Sequence, residues 1–436
     1  MSQAWLSYEA APPPWLPGSF FAASLSWLLL SGLTLLLGSS VMPNRFDPLV
    51  VTLTHLLALG VLGNTMLGAL LQLLAVAAGV GTPRPHALWW RIFPAWQAGI
   101  ASLCWGFSHG FSPFWLPVGA LLLCSAGLAL LWHAGRGLWR SPARDATSQG
   151  LRLALIGLGA ALTLGLLLVL TLGGHLGLPF MPLLHSHVLW AGLGWLLALL
   201  LAVSQTVMPM FLVTPAFPSA SRWLLPCQLA LLAGLSLLLS WQPAMAERML
   251  LLASLPAAGF ALLALRQLQR SRRRQDPLWR SWLLATLCLL LTLPLAAAGL
   301  YWPAGNSSLP LWCGTLWLGG MGLAAVLGML GKIPPFLAWL HLQRLQPPRG
   351  VLPRTHGFLS EQVVSRLTSL HAAWLLLALA WCRWPALWQT PLAICTVLLA
   401  GAAGWHGWKL WRLYRQVRAR CLAPRSKHTL RTSTEP

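Results

Sequence analysis

Twelve histidines are the residues of this chain best equipped for chemistry, and five of them stand out by their surroundings. His55 closes the stretch LVVTLTH. His185 and His187 open the apolar run HSHVLWAGLGWLLALLLAVSQTVMPMF, and His109 and His175 sit in short turns between apolar runs. An imidazole ligates a metal or carries a proton through either ring nitrogen. Near hydrocarbon it needs a partner, because an unpaired polar group there costs roughly 2–7 kcal/mol, and ionisable residues inside membrane segments are functional candidates by default. Glycines follow both ligand candidates: Gly60 and Gly63 after His55, Gly192 and Gly194 after His187. They let a neighbouring helix or a flat ligand approach the backbone closely. A b-type haem asks for one or two axial imidazoles from different helices, an apolar slot and small residues beside it. His55 facing His187 meets that description. Side chains two apart on a helix point about 200° apart, so His185 and His187 cannot both bind one iron. His185 is then a substitute or a second-site ligand. A copper site from His109, His175 and His185 is an alternative, since imidazole suits copper. The plainer reading is histidines that cap polar pockets near the membrane surface.

The elements that must position these residues follow from composition. Charged residues are 8% of the 436 and hydrophobic ones 57%, with a mean hydropathy of +0.68. A soluble chain needs roughly 25% charged residues, so the expectation is an all-α polytopic membrane protein. A span takes about 20 mostly apolar residues. Runs of that kind lie near 19–42, 49–79, 94–110, 113–138, 151–174, 184–212, 222–241, 248–266, 281–302, 308–333, 367–384 and 388–409. The third is the shortest. Twelve spans place all but three of the 29 Lys and Arg on one side, the exceptions being Arg45, Arg248 and Arg383. By the positive-inside rule that side, with both termini, is cytoplasmic. The expected organisation is a cytoplasmic segment over 1–18, a twelve-helix bundle over 19–409 and a basic cytoplasmic tail over 410–436. The start, MSQAWLSYEAAPPPWLPGSFF, has no basic n-region and no small-residue cleavage site, so its apolar run reads as a retained span.

The net charge of +22 sits between apolar runs and not along one face. It points to anionic lipid at the cytoplasmic face and away from nucleic acid. The segment RQLQRSRRRQDPLWR and the tail are topology determinants of this kind, and Lys332 is expected to snorkel to the interface. The eight cysteines form no Cys-x-x-Cys pair, which removes zinc, redox-pair and c-type haem attachment signals. All seven acids fall in loops, tails or span ends, so no carboxylate relay crosses the membrane. Of the remaining histidines, His86, His133, His341, His356 and His428 lie in or near basic segments, while His371 and His406 read as satisfied core residues.

Three runs four helices apart share a pattern: HLLALGVLGNTMLGALLQLLAV from His55, HVLWAGLGWLLALLLAVSQTVMPMF from His187 and WCGTLWLGGMGLAAVLGMLGKIPPF from Trp312. Each has a polar or aromatic residue near its start and glycines over the next turns. A repeat every fourth helix implies three four-helix units about a pseudo-threefold axis.

Twelve spans, His55 early in the second and HSHVLWAGLGWLLALL followed by a proline resemble subunit I of the haem–copper oxidase superfamily, the cbb-type and nitric-oxide-reductase branch above all. They also resemble NnrS-type membrane proteins, associated with haem, copper and nitric oxide stress. The resemblance covers the second and sixth spans, and the rest by topology. It implies that His55 matches the low-spin haem ligand, and that His185 and His187 match the paired histidines, found in the oxidases on the tenth helix. Here the tenth carries Trp312, the seventh has no adjacent His-His, and none of the three tyrosines (Tyr8, Tyr301, Tyr414) lies near a histidine of the sixth span. The implied protein is a haem-b-binding component of the bacterial inner membrane, with copper as a second cofactor. It serves redox or sensing in respiratory or nitric-oxide/copper-linked metabolism, with an electron donor or oxidase as partner, and is not a complete terminal oxidase. The alternatives are a secondary transporter for a small solute or metal complex, suggested by the Gly/Pro interruptions at Val207-Met208-Pro209 and Lys332-Ile333-Pro334-Pro335, and a factor that hands haem or copper to an oxidase.

Overall fold

The computed structural model describes residues 10–38, 43–301, 308–347 and 350–422. Twelve long helices run in chain order: α1 Trp15–Leu37, α2 Pro48–Ala78, α3 Pro85–Ser108, α4 Trp115–Arg140, α5 Ala146–Leu172, α6 Phe180–Leu212, α7 Ser219–Trp241, α8 Pro243–Gln269, α9 Pro277–Tyr301, α10 Leu309–Gln343, α11 Glu361–Trp381 and α12 Pro385–Leu422. No strand occurs among the described residues. Eleven of these helices are long and apolar enough to cross a membrane, which makes this a multi-pass helical membrane protein. The one outside that set is α3, 24 residues long. It begins well before the apolar run near 94, so it takes in His86, Trp89, Trp90 and Arg91, and these lower its hydropathy.

Local chemistry starts the helices where the apolar runs begin. All three aspartates cap N-termini. Asp47 accepts from Leu49 N at 2.9 Å, Asp145 from Ser148 N at 3.0 Å and Asp276 from Leu278 N at 3.0 Å. Pro48 and Pro277 follow two of these caps at the first helical position, where a missing N–H costs nothing. The acids outside the membrane thus have a structural role.

The helices form two shells. In α2, α6 and α10 the span windows are 78, 72 and 61% buried, against at most 39% in the other eight. These three helices stand inside, and the rest wrap them as sequential neighbours until α12 closes the ring against α1. Gln389 of α12 seals that closure by donating to the carbonyls of Leu35 and Gly38, at 2.9 and 2.5 Å. The inner helices touch each other through small residues. Gly322 of α10 lies against Leu62 of α2, and Gly192 of α6 lies against Trp317 of α10.

Each inner helix contains an eight-residue π-helical segment: Leu56–Gly63, Trp190–Leu197 and Thr315–Gly322. A π segment shifts the hydrogen-bond register and leaves carbonyls needing other partners, which inside a membrane must come from protein. The fifth residue of each is glycine, and two of the three glycine carbonyls accept from a side chain. Gly60 O accepts from Asn64 Nδ2 at 2.8 Å, and Gly319 O from buried His371 Nε2 at 2.8 Å. Gly194 O abuts the backbone of Gly157 on α5. Asn64 is itself held by Gln97 Nε2 at 2.7 Å, and Ser24 Oγ reaches Val61 O at 3.0 Å.

Two expectations change, those for Lys332 and Pro209. Lys332 does not snorkel. It ends the first part of α10, donates to Asp276 Oδ2 at 2.6 Å and lies 3.7 Å from Glu361, with its side chain 18% exposed. A carboxylate buried at the end of α9 offers it more than the interface does. Residues 410–422 continue α12, and there Leu410, Tyr414 and Val417 pack with Ala338 and Leu342 of α10 and with Phe358. The remainder, 423–436, lies outside the described residues, as do 1–9. Pro209 does not break α6, which runs on to Leu212, whereas a break does occur at Gly331–Lys332.

Candidate functional site

His55 and His187 lie at the same end of the inner shell, each just ahead of a π segment. His55 is the last residue before Leu56, and His187 stands three residues before Trp190. The His55 ring packs against Phe107 of α3, with centroids 4.6 Å apart, and its Nδ1 is 2.9 Å from Val51 O. The His187 ring crosses to α5, where Nδ1 is 3.1 Å from Ala161 O. Gly165 makes room for it, since a methyl at that position would sit 3.1 Å from His187 Cε1.

The chemistry of this pair follows from its partners. A carbonyl oxygen only accepts, so Nδ1 of each ring carries the proton and donates it. In the neutral ring the lone pair is then on Nε2. Metal-binding histidines are prepared in this way, with one nitrogen anchored on a carbonyl and the other left for the metal. The contrast with His371 is instructive. Its Nε2 donates to Gly319 O and its ring is almost fully buried, as a satisfied core histidine should be.

The offset between His185 and His187 appears in the structure. His187 turns to α5, while His185 turns to the start of α8, with Nδ1 3.8 Å from Glu247 Oε1. His109 stacks on Trp105 at 3.9 Å and bonds Trp105 O at 2.9 Å. His175 sits in the exposed turn after α5, beside Gly173. No three His, Cys, Asp or Glu converge on one point among the described residues, so His109, His175 and His185 are not brought together.

The glycines beside the histidines receive protein groups. Gly60 faces Trp27 of α1, Gly63 faces Trp96 of α3, Gly192 faces Trp317, and Gly194 faces Trp190 and Gly157. Of these aromatic rings, Trp96 and Trp317 each bear a buried indole nitrogen with no hydrogen-bond partner among the described residues. Sequence reasoning missed Gly165, Ala161 and Trp317. Gly165 and Ala161 lie inside the uniformly apolar run LALIGLGAALTLGLLLVLTL, where nothing distinguishes a residue that faces a histidine. Trp317 was one of 27 tryptophans.

Neither protein-family models nor curated protein sequences give a match to this chain.

Proposed function

We propose that the inner shell binds haem b, with His55 and His187 as axial ligands, and that the protein is a redox or sensing component of a bacterial inner membrane. The observation that carries this reading is the shared arrangement of the two rings: both anchor Nδ1–H on a backbone carbonyl, keep Nε2 for a ligand, come from different inner helices and lie just ahead of a π segment. Haem held by His55 and His187 would supply one-electron chemistry or a binding site for a diatomic gas. The chain's own part is to hold both imidazoles in one tautomer, surround them with Phe107 and other apolar side chains, and keep water away. His185, directed at Glu247, is left for a separate role near the surface.

The wider architecture in this reading is twelve spans in three pseudo-symmetric groups of four, with both termini cytoplasmic. Support comes from the three π segments and from the burial of α2, α6 and α10. Aligned on those segments, His187 corresponds to Trp312. Both send a ring N–H to a neighbouring helix's carbonyl, His187 to Ala161 and Trp312 to Leu379 at 3.0 Å. His55 is then displaced by two residues from the equivalent position. In favour of α3 as the twelfth span is its packing along α4, where Gly99 and Gly119 let the backbones meet.

His55→Ala and His187→Ala test the ligand assignment. Each should abolish or shift a b-type Soret band in purified protein, and the double variant should show no band. Retention of the wild-type band by the double variant would remove the assignment. No feature favours the transporter reading more specifically, since among the described residues the acids cap helices or pair at the ends of spans.

A further inference from the structure

At the end of the bundle away from His55 and His187, the loop between α8 and α9 faces the broken end of α10 across a cavity of about 710 Å³, which His356 also lines. Arg272, Arg273 and Arg274 line one wall, Lys332 lies at its base, and Phe211 and Phe336 add an apolar side. A space of that size is in the range of small-molecule sites.

The charges are not balanced by protein. Asp276 is buried and already committed, one oxygen capping α9 and the other accepting from Lys332, while Glu361 leans on the same lysine at 3.7 Å. Those two carboxylates therefore answer Lys332 and leave the arginines uncompensated. The guanidinium groups of Arg272 and Arg273 have no hydrogen bond or ion pair among the described residues, and both side chains are exposed. The loop that carries them is nevertheless pinned. Ser271 Oγ donates to Leu212 O at 2.8 Å, Arg273 N donates to Ser271 Oγ at 3.0 Å, and Asp276 N closes a turn on Arg273 O at 3.2 Å. Cations presented from a fixed turn bind an anion with less ordering cost than cations on a loose loop, and guanidinium forks suit phosphate oxygens.

We propose that this cleft is a saturable binding site for a phosphate-bearing anion, held chiefly by Arg272 and Arg273. The site is distinct from diffuse lipid contact along the basic loops and is independent of the haem reading. Two sources share the chemistry: the headgroup of an anionic phospholipid, for which Phe211 and Phe336 provide an apolar flank, and a free phosphate.

The test uses the full chain, purified in a neutral maltoside detergent, with thermal unfolding as the readout. Phosphatidylglycerol in mixed micelles and inorganic phosphate are titrated separately, with phosphatidylcholine as the neutral reference. The expected result is a saturable upward shift with phosphatidylglycerol, or with phosphate if the ligand is water-soluble. The Arg272→Gln/Arg273→Gln variant should bind about tenfold or more weakly per arginine lost, while Arg415→Gln/Arg420→Gln on α12 should bind as wild type does. Equal responses from wild type and the first variant would overturn the site, as would equal weakening by the control pair or the absence of saturation with both ligands. Native mass spectrometry of the wild type gives a reading that needs no variant. One retained phosphatidylglycerol or phosphate supports the site, and adducts without a preferred stoichiometry overturn it.

Discussion

Replacing Gly157 by alanine is the sharpest perturbation of the histidine site that touches neither histidine. Gly157 of α5 meets Gly194 of α6 backbone to backbone. A methyl there would fall inside the envelope of the Gly194 carbonyl, and even Trp195 N would be only 3.0 Å away. Carbon atoms pack best at about 3.5–4.0 Å, and a backbone carbonyl in a helix cannot swing aside, so the two helices must separate. Overpacking of this kind costs about 1–3 kcal/mol. Ala161, which accepts the His187 Nδ1–H at 3.1 Å, is one turn further along the same face of α5. Separation therefore also stretches that hydrogen bond, a further ~1 kcal/mol, and releases the ring that it orients. The expected total is roughly 2–4 kcal/mol of lost stability, together with weakened ligation through His187. The matched control is Gly159→Ala. Its methyl meets only Leu131 Cδ1 at 3.6 Å, an ordinary contact, and helix propensity favours alanine by up to ~1 kcal/mol. The unfolding temperature in detergent should thus fall for Gly157→Ala and hold or rise for Gly159→Ala, with the Soret spectrum altered only in the first. Wild-type stability and spectrum in Gly157→Ala would refute the close crossing and its link to His187.

Two further substitutions probe the frame around the site. Asp276→Ala removes the partner of Lys332 and the cap of α9. With Glu361 still 3.7 Å away as partial compensation, the loss should be about 3 kcal/mol or more, seen as a lowered unfolding temperature, while Asp276→Glu should recover part of it. His371→Phe leaves the Gly319 carbonyl of the third π segment without its donor. It should cost ~1–3 kcal/mol in the same assay without changing any haem spectrum, because His371 is a structural residue of α11.

Much of the fold was legible in the sequence because hydropathy reports directly on the bilayer. Eleven runs long enough to span were visible as such, and the glycine-rich pattern in the second, sixth and tenth runs marked the helices that the structure puts in the centre. The π segments were not legible. Their cause is a register shift of backbone bonds; the Gly319 carbonyl is answered by His371 of α11 and the Gly194 carbonyl packs on Gly157 of α5, from places that no local pattern connects. Lys332 was misread because a lone cation at a span end looks the same whether it reaches water or a carboxylate 56 residues away in the chain. The histidines were identified by type and location, but the anchor of His187 on Ala161 O is a tertiary fact. Apolar residues give no sign of which carbonyl faces an imidazole.

The most direct measurement is a reduced-minus-oxidised optical spectrum of the purified full-length protein, expressed with ample haem, with pyridine haemochrome for stoichiometry. Ligation by His55 and His187 predicts b-type bands, with at least one haem per chain and a low-spin spectrum. Protein that is folded, purified from haem-replete cells and free of any b-type signal would contradict it.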